Sequence, residues 1–132
     1  MSASRLSVVA AITAAVAWGL KALAISAAGG LGLSPVEDPL FILGLVAIVV
    51  SFGSLGVAVA HGRSRAAQVA GAVIGLVIGV ALSALASAVA AAVVPDSAGW
   101  VQAEAGLWFS AALALVATLA WHTRRRMPHT SA

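Results

Sequence analysis

Three observations predict an all-α integral membrane four-helix bundle of up-down topology, with the N-terminus and the C-terminus both cytoplasmic. Of 132 residues, 62% are hydrophobic and only 8% are charged. The apolar residues form four runs long enough to span a bilayer, and the cations fall at alternate ends of those runs. A soluble chain of this size could not hide so much apolar surface, because small proteins leave a large share of their surface exposed. A soluble helical domain would also need charged faces, and none of the long runs has one. Lipid removes both problems.

Helix 1 is expected over about residues 6–28, stopping at Gly29-Gly30, the residue type a helix C-terminus favours. Helix 2 is expected over about 39–60, with Asp38 as N-cap and Pro39 at the first helical position. Helix 3 follows Ser64, runs over about 65–94 and ends at Pro95. Helix 4 opens after Asp96-Ser97, covers about 98–122 and precedes Arg124, Arg125 and Arg126. Residues 127–132 form a short polar tail expected to be disordered. Residues 1–126 therefore make a single transmembrane domain, because no loop is long enough to carry a separate soluble one.

Orientation follows from the charges. Arg5, Arg63, Arg65 and Arg124 to Arg126 lie on one side, whereas the other two loops carry only Glu37, Asp38 and Asp96. Cytoplasmic loops collect Arg and Lys, so the basic side is inside. Ala, Val and Gly dominate and arginine outnumbers lysine, which points to a high-GC bacterial genome and so to the inner (plasma) membrane as a multi-pass protein. The sequence pI of about 11.3 would suggest nucleic acid in a soluble protein. Here topology and anionic headgroups account for the cations, and no nucleic-acid partner is expected. Arg5, the first apolar run and Ala22-Leu23-Ala24 also imitate a cleavable signal peptide. Lys21 and Trp18 lie awkwardly close to that cut and the run continues past Ile25, so retention of helix 1 is the reading adopted. The acidic, proline-containing turns at 34–39 and 95–97 resemble each other, but such turns are too common to establish a tandem repeat.

Helix 3 carries the clearest pattern. Ala67, Gly71, Gly75, Gly79, Ser83, Ser87 and Ala91 recur every fourth residue, which puts small side chains along one face, a glycine zipper. In lipid, close backbone approach through such a groove is a main source of helix association. Ala47, Ser51, Ser54 and Ala58 of helix 2 offer a counterpart. The seam serves either packing within one protomer or a homo-oligomer interface, and its spacing does not separate the two.

Two charges fall inside the spans. Lys21 lies about 11 Å below the outer end of helix 1 and Glu104 about 8–10 Å below the start of helix 4, at about 1.5 Å per residue. The depths match, and helices 1 and 4 are neighbours in an up-down bundle. An ion pair is therefore expected, with Trp18 and Trp108 on the same faces as their charges and an indole available to the ammonium. The competing readings are separate snorkelling to the headgroups and a functional polar pocket opening outward. Gln102 points to a different side of helix 4.

No catalytic chemistry is expected. There is no cysteine, and no Asp or Glu at mid-span to serve a coupled transporter. Gly71, Gly75 and Gly79 follow packing spacing and not that of a phosphate loop. His61 and His122 share a depth that could place a haem between them, but they read better as interfacial residues, and two ligands are too few for a tetrahedral metal site. Neither metal nor cofactor is expected. The serines and threonines of the spans are expected to bond their own backbone. The chain reads as a non-enzymatic membrane protein with the lipid bilayer as solvent. It acts through helix packing as a subunit of a larger membrane complex, an assembly factor or a homo-oligomer. The alternative is a small oligomeric channel or transporter with an outward-facing polar site around Lys21 and Glu104.

Overall fold

The computed structural model describes residues 2–30, 32–95, 97 and 99–126, without the side chains of residues 103, 125 and 126. Among them there are four helices and no strand: α1 (Ala3–Ala28), α2 (Glu37–Val59), α3 (Arg65–Val93) and α4 (Trp100–Arg126). Each is long and apolar enough to cross a membrane. The tail, residues 127–132, lies outside the described residues, as does Asp96.

The ends follow local chemistry, with three departures from expectation. α1 begins three residues earlier than 6 because Ser2 caps it, its hydroxyl accepting from the Arg5 amide at 3.2 Å. It stops where Gly29 turns to φ 89°, a left-handed conformation that only a residue without Cβ adopts freely. Asp38 is not the N-cap of α2. The helix starts at Glu37, and Val36 occupies the cap position without a side-chain hydrogen bond. Glu37 turns back instead, its Oε2 accepting from the amides of Gly32 at 2.8 Å and Ser34 at 3.3 Å, which ties the loop to the helix start. Ser64 caps α3 through the Ala67 amide. α4 is longer than expected, because the arginines after His122 continue the helix as good helix formers do.

Residue pairs fix an up-down arrangement. Ser4 meets His122 and Lys21 meets Glu104, so α1 and α4 run antiparallel. Ser7 meets Ser51 and Trp18 meets Phe41, and α2 likewise opposes α1. α3 packs against α2 and α4 but not α1, while α2 and α4 touch across the diagonal. The arginines Arg5, Arg63, Arg65 and Arg124 share one end of this bundle, and Glu37 and Asp38 share the other.

The core belongs to three helices. Ala11, Ala14 and Trp18 of α1, Ala47, Ile48 and Phe52 of α2, and Ala111 and Ala114 of α4 form one buried cluster. Small residues dominate it, so the backbones approach closely. α3 is peripheral: only Gly79 and Ala90 of its residues are buried. Val69, Val73, Val77 and Val80 face outward from it.

Candidate functional site

Lys21 stands three residues after Trp18 on α1, one turn along the same face. Trp18 is 2% exposed, and its indole fills the space that a Cβ at Gly44 of α2 would need. From there Trp18 Nε1 donates to the Phe41 carbonyl at 3.3 Å, drawing the start of α2 against α1. The Phe41 ring then lies beneath the ammonium, with Lys21 Nζ 5.3 Å from its centroid. Opposite, α4 presents Glu104, whose Oε1 accepts from Lys21 Nζ at 2.5 Å. Lys21 is 7% exposed and Glu104 4%, so the pair is closed off inside the bundle and not reached from its surface.

Neither tryptophan serves the charges as the sequence suggests. The aromatic face under Lys21 is Phe41, because Trp18 is already committed to the Gly44 notch. Trp108 stands edge-on to Trp100 with ring centroids 6.4 Å apart and packs against the buried cluster of α1, α2 and α4. Gln102 turns to α3, its Nε2 donating to the carbonyls of Val94 at 3.0 Å and Ala91 at 3.5 Å. Glu104 Oε2 is buried and accepts no hydrogen bond among the described residues. A buried carboxylate oxygen in that condition bears a desolvation cost of about 1–3 kcal/mol or more.

The small-residue seam is used within the protomer. A Cβ built on Gly71 would lie 2.5 Å from the Gly56 carbonyl oxygen, and one on Gly75 the same distance from the Phe52 carbonyl oxygen. At Gly79 it would strike the Phe52 ring. The seam then passes from α2 to α4: Ser87 packs on Gly106, where an added Cβ would come within 2.7 Å of its hydroxyl. Ser83 Oγ, at the crossover, is buried without a hydrogen-bond partner. The α2 counterpart is not the expected Ala47, Ser51, Ser54 and Ala58. Phe52 and Gly56 meet α3, while Ser51 donates to the Ser7 carbonyl of α1 at 2.9 Å and Ala47 joins the core.

A second polar arrangement escaped the sequence reading. Ser51 binds the Ser7 carbonyl, Ser7 donates to the Ser4 carbonyl at 2.7 Å, and the Ser4 hydroxyl lies 2.9 Å from His122 Nδ1. These bonds lace α2, α1 and α4 together near the basic end. Serines three apart at the start of α1 were the available signal. Thr13, Ser110 and Thr118 each donate to the carbonyl four residues back in their own helix. Among the described residues no group of three or more His, Asp or Glu side chains is placed to hold a metal ion.

No family model matches the chain, and no similar curated protein or solved structure is found. The reading of function therefore rests on this geometry.

Proposed function

We propose that this chain is a non-enzymatic, multi-pass protein of a bacterial plasma membrane, with four spans and both termini in the cytoplasm. It works through helix packing, as a subunit or assembly partner in a larger membrane complex or as a homo-oligomer. The observation that carries this reading is the position of α3. Its small face is spent on α2 and α4, its apolar back is bare, and the one buried charge pair is neutralised inside the protomer. In water such a surface would be far larger than the apolar patches soluble monomers tolerate. In a bilayer it is the surface offered to lipid and to other helices.

Reconstitution in nanodiscs, with the copy number read from mass and from crosslinks introduced along α3, tests this. Crosslinks through Val73 or Val77 to a second chain or to a co-purified membrane protein are expected. A strict monomer that co-purifies with nothing from its native membrane would remove the reading.

The unpartnered Glu104 Oε2 favours one second reading, a transport pathway that opens to Lys21 and Glu104. A folded Lys21→Met/Glu104→Gln double variant separates the two. Under the packing reading the cell loses nothing, whereas a transport or survival defect in that variant assigns the pair to function.

A further inference from the structure

At the basic end, two cavities adjoin, one between α2, α3 and α4 and the other between α2 and α4. One, about 490 Å³, is walled by Leu55 and Val59 of α2, Ile74 and Ile78 of α3 and Ala117 of α4, with Arg63 also on its lining. The other, about 640 Å³, shares Leu55, Val59 and Ala117 and is closed by Trp121, Thr123 and Arg124. Both volumes fall within or near the range that holds an organic ligand. From Ala67 to Leu82 the α3 wall of the first cavity runs about 22 Å. That exceeds the depth of one leaflet, about 15 Å of a ~30 Å hydrocarbon core.

Side-chain carboxylates are absent from this end of the bundle. Lys21 and Glu104 form the only ion pair among the described residues, and no Asp or Glu occurs between Pro39 and Pro95 or beyond Glu104. Arg63 and Arg124 therefore have no side-chain carboxylate within reach of this end. Trp121, also on the wall of the second cavity, has its Nε1–H buried without an acceptor among the described residues. Two guanidinium groups beside a long apolar slot match an amphiphile with an anionic head.

We propose that the joined cavities bind one anionic glycerophospholipid, an inference that rests on the membrane reading above. An acyl chain occupies the slot between α2 and α3, and Arg63 and Arg124 hold the phosphate. The lipid would then complete the packing of α3, the least buried helix, against the rest of the bundle.

The full chain in nanodiscs of equal parts phosphatidylcholine and phosphatidylglycerol, released into native mass spectrometry, tests the site. One phosphatidylglycerol is expected to stay bound in preference to phosphatidylcholine. Arg63→Gln/Arg124→Gln should cut that preference of the order of tenfold, the scale set by two basic side chains at an anionic surface. Arg5→Gln/Arg65→Gln, with the same charge loss at the same end but outside the cavities, should keep it. Ala70→Phe, which fills the slot from an exposed position and leaves both arginines, should also reduce retention. Equal loss in the two arginine pairs would mean diffuse attraction and overturn the site, as would unaltered retention in Ala70→Phe or no headgroup preference in the wild type. Failure of the wild-type chain to enter the bilayer, read beforehand by vesicle flotation, overturns the membrane reading and the site with it.

Discussion

At Lys21 the ammonium meets a carboxylate from α4 and an aromatic face from α2, while its own helix supplies only the tryptophan that holds α2 in place. The carboxylate dominates: breaking a buried pair costs about 3–5 kcal/mol, against about 0.5–2 kcal/mol for a cation over a ring. Lys21→Met and Glu104→Gln are each expected to destabilise the fold strongly, and the double variant should recover much of the loss. Unfolding in mixed micelles, analysed as a double-mutant cycle, should return a coupling of about 1–3 kcal/mol. Additive losses would mean that the two side chains do not depend on one another. Phe41→Leu should cost less than either, about 1 kcal/mol. The pairing was legible because helical rise converts sequence position into depth, and two charges at one depth on adjacent helices have few other partners. The ring beneath Lys21 was not legible. It depends on how α2 is rotated, and a lone Gly44 that admits Trp18 sets that rotation.

Between α2 and α3 the backbones approach until only glycine fits, and the pair at closest approach is Gly56 with Gly71. A methyl group on Gly56 would meet backbone, which has no rotamer to give. Gly56→Ala should therefore cost about 1–3 kcal/mol as overpacking, although alanine is the better helix former. Gly75→Leu should do worse, abolishing folding or assembly, whereas Val77→Leu, on the exposed back of the same helix, should be neutral. Thermal melts in detergent would rank the three, and equal tolerance at Gly75 and Val77 would remove any packing role for the four-residue spacing. The four elements and the small face of α3 could be read from period and length. The face of α2 opposing it could not, since Ser51 and Phe52 are adjacent in sequence and about 100° apart on the helix. Small-residue spacing favoured the serine, but its hydroxyl found the Ser7 carbonyl on the opposite side. The glycine at 56, inside a helix where it costs stability, was the better signal for close approach.

For the molecule as a whole, α1 carries more of the structure than a removable leader could. It supplies Ala11, Ala14 and Trp18 to the core, Lys21 to Glu104, and Ser4 and Ser7 to the polar lacing of three helices. Cutting near Ile25 would take all of these and strip Glu104 of its cation, a loss of several kcal/mol from one residue alone. The chain purified from membranes is thus expected to retain α1, and its intact mass should exclude a mature start near Ile25. Retention also fixes the number of proposed crossings as even, which makes orientation testable from both ends. A reporter fused after Ala132 should be active only in the cytoplasm, and one inserted at Ser34 only outside, because Arg5, Arg63, Arg65 and Arg124 share the end opposite Glu37 and Asp38. An external C-terminus would show that the arginines do not set the orientation. It would also place the Arg63 and Arg124 cavities in the wrong leaflet for the anionic lipid of the cytoplasmic face.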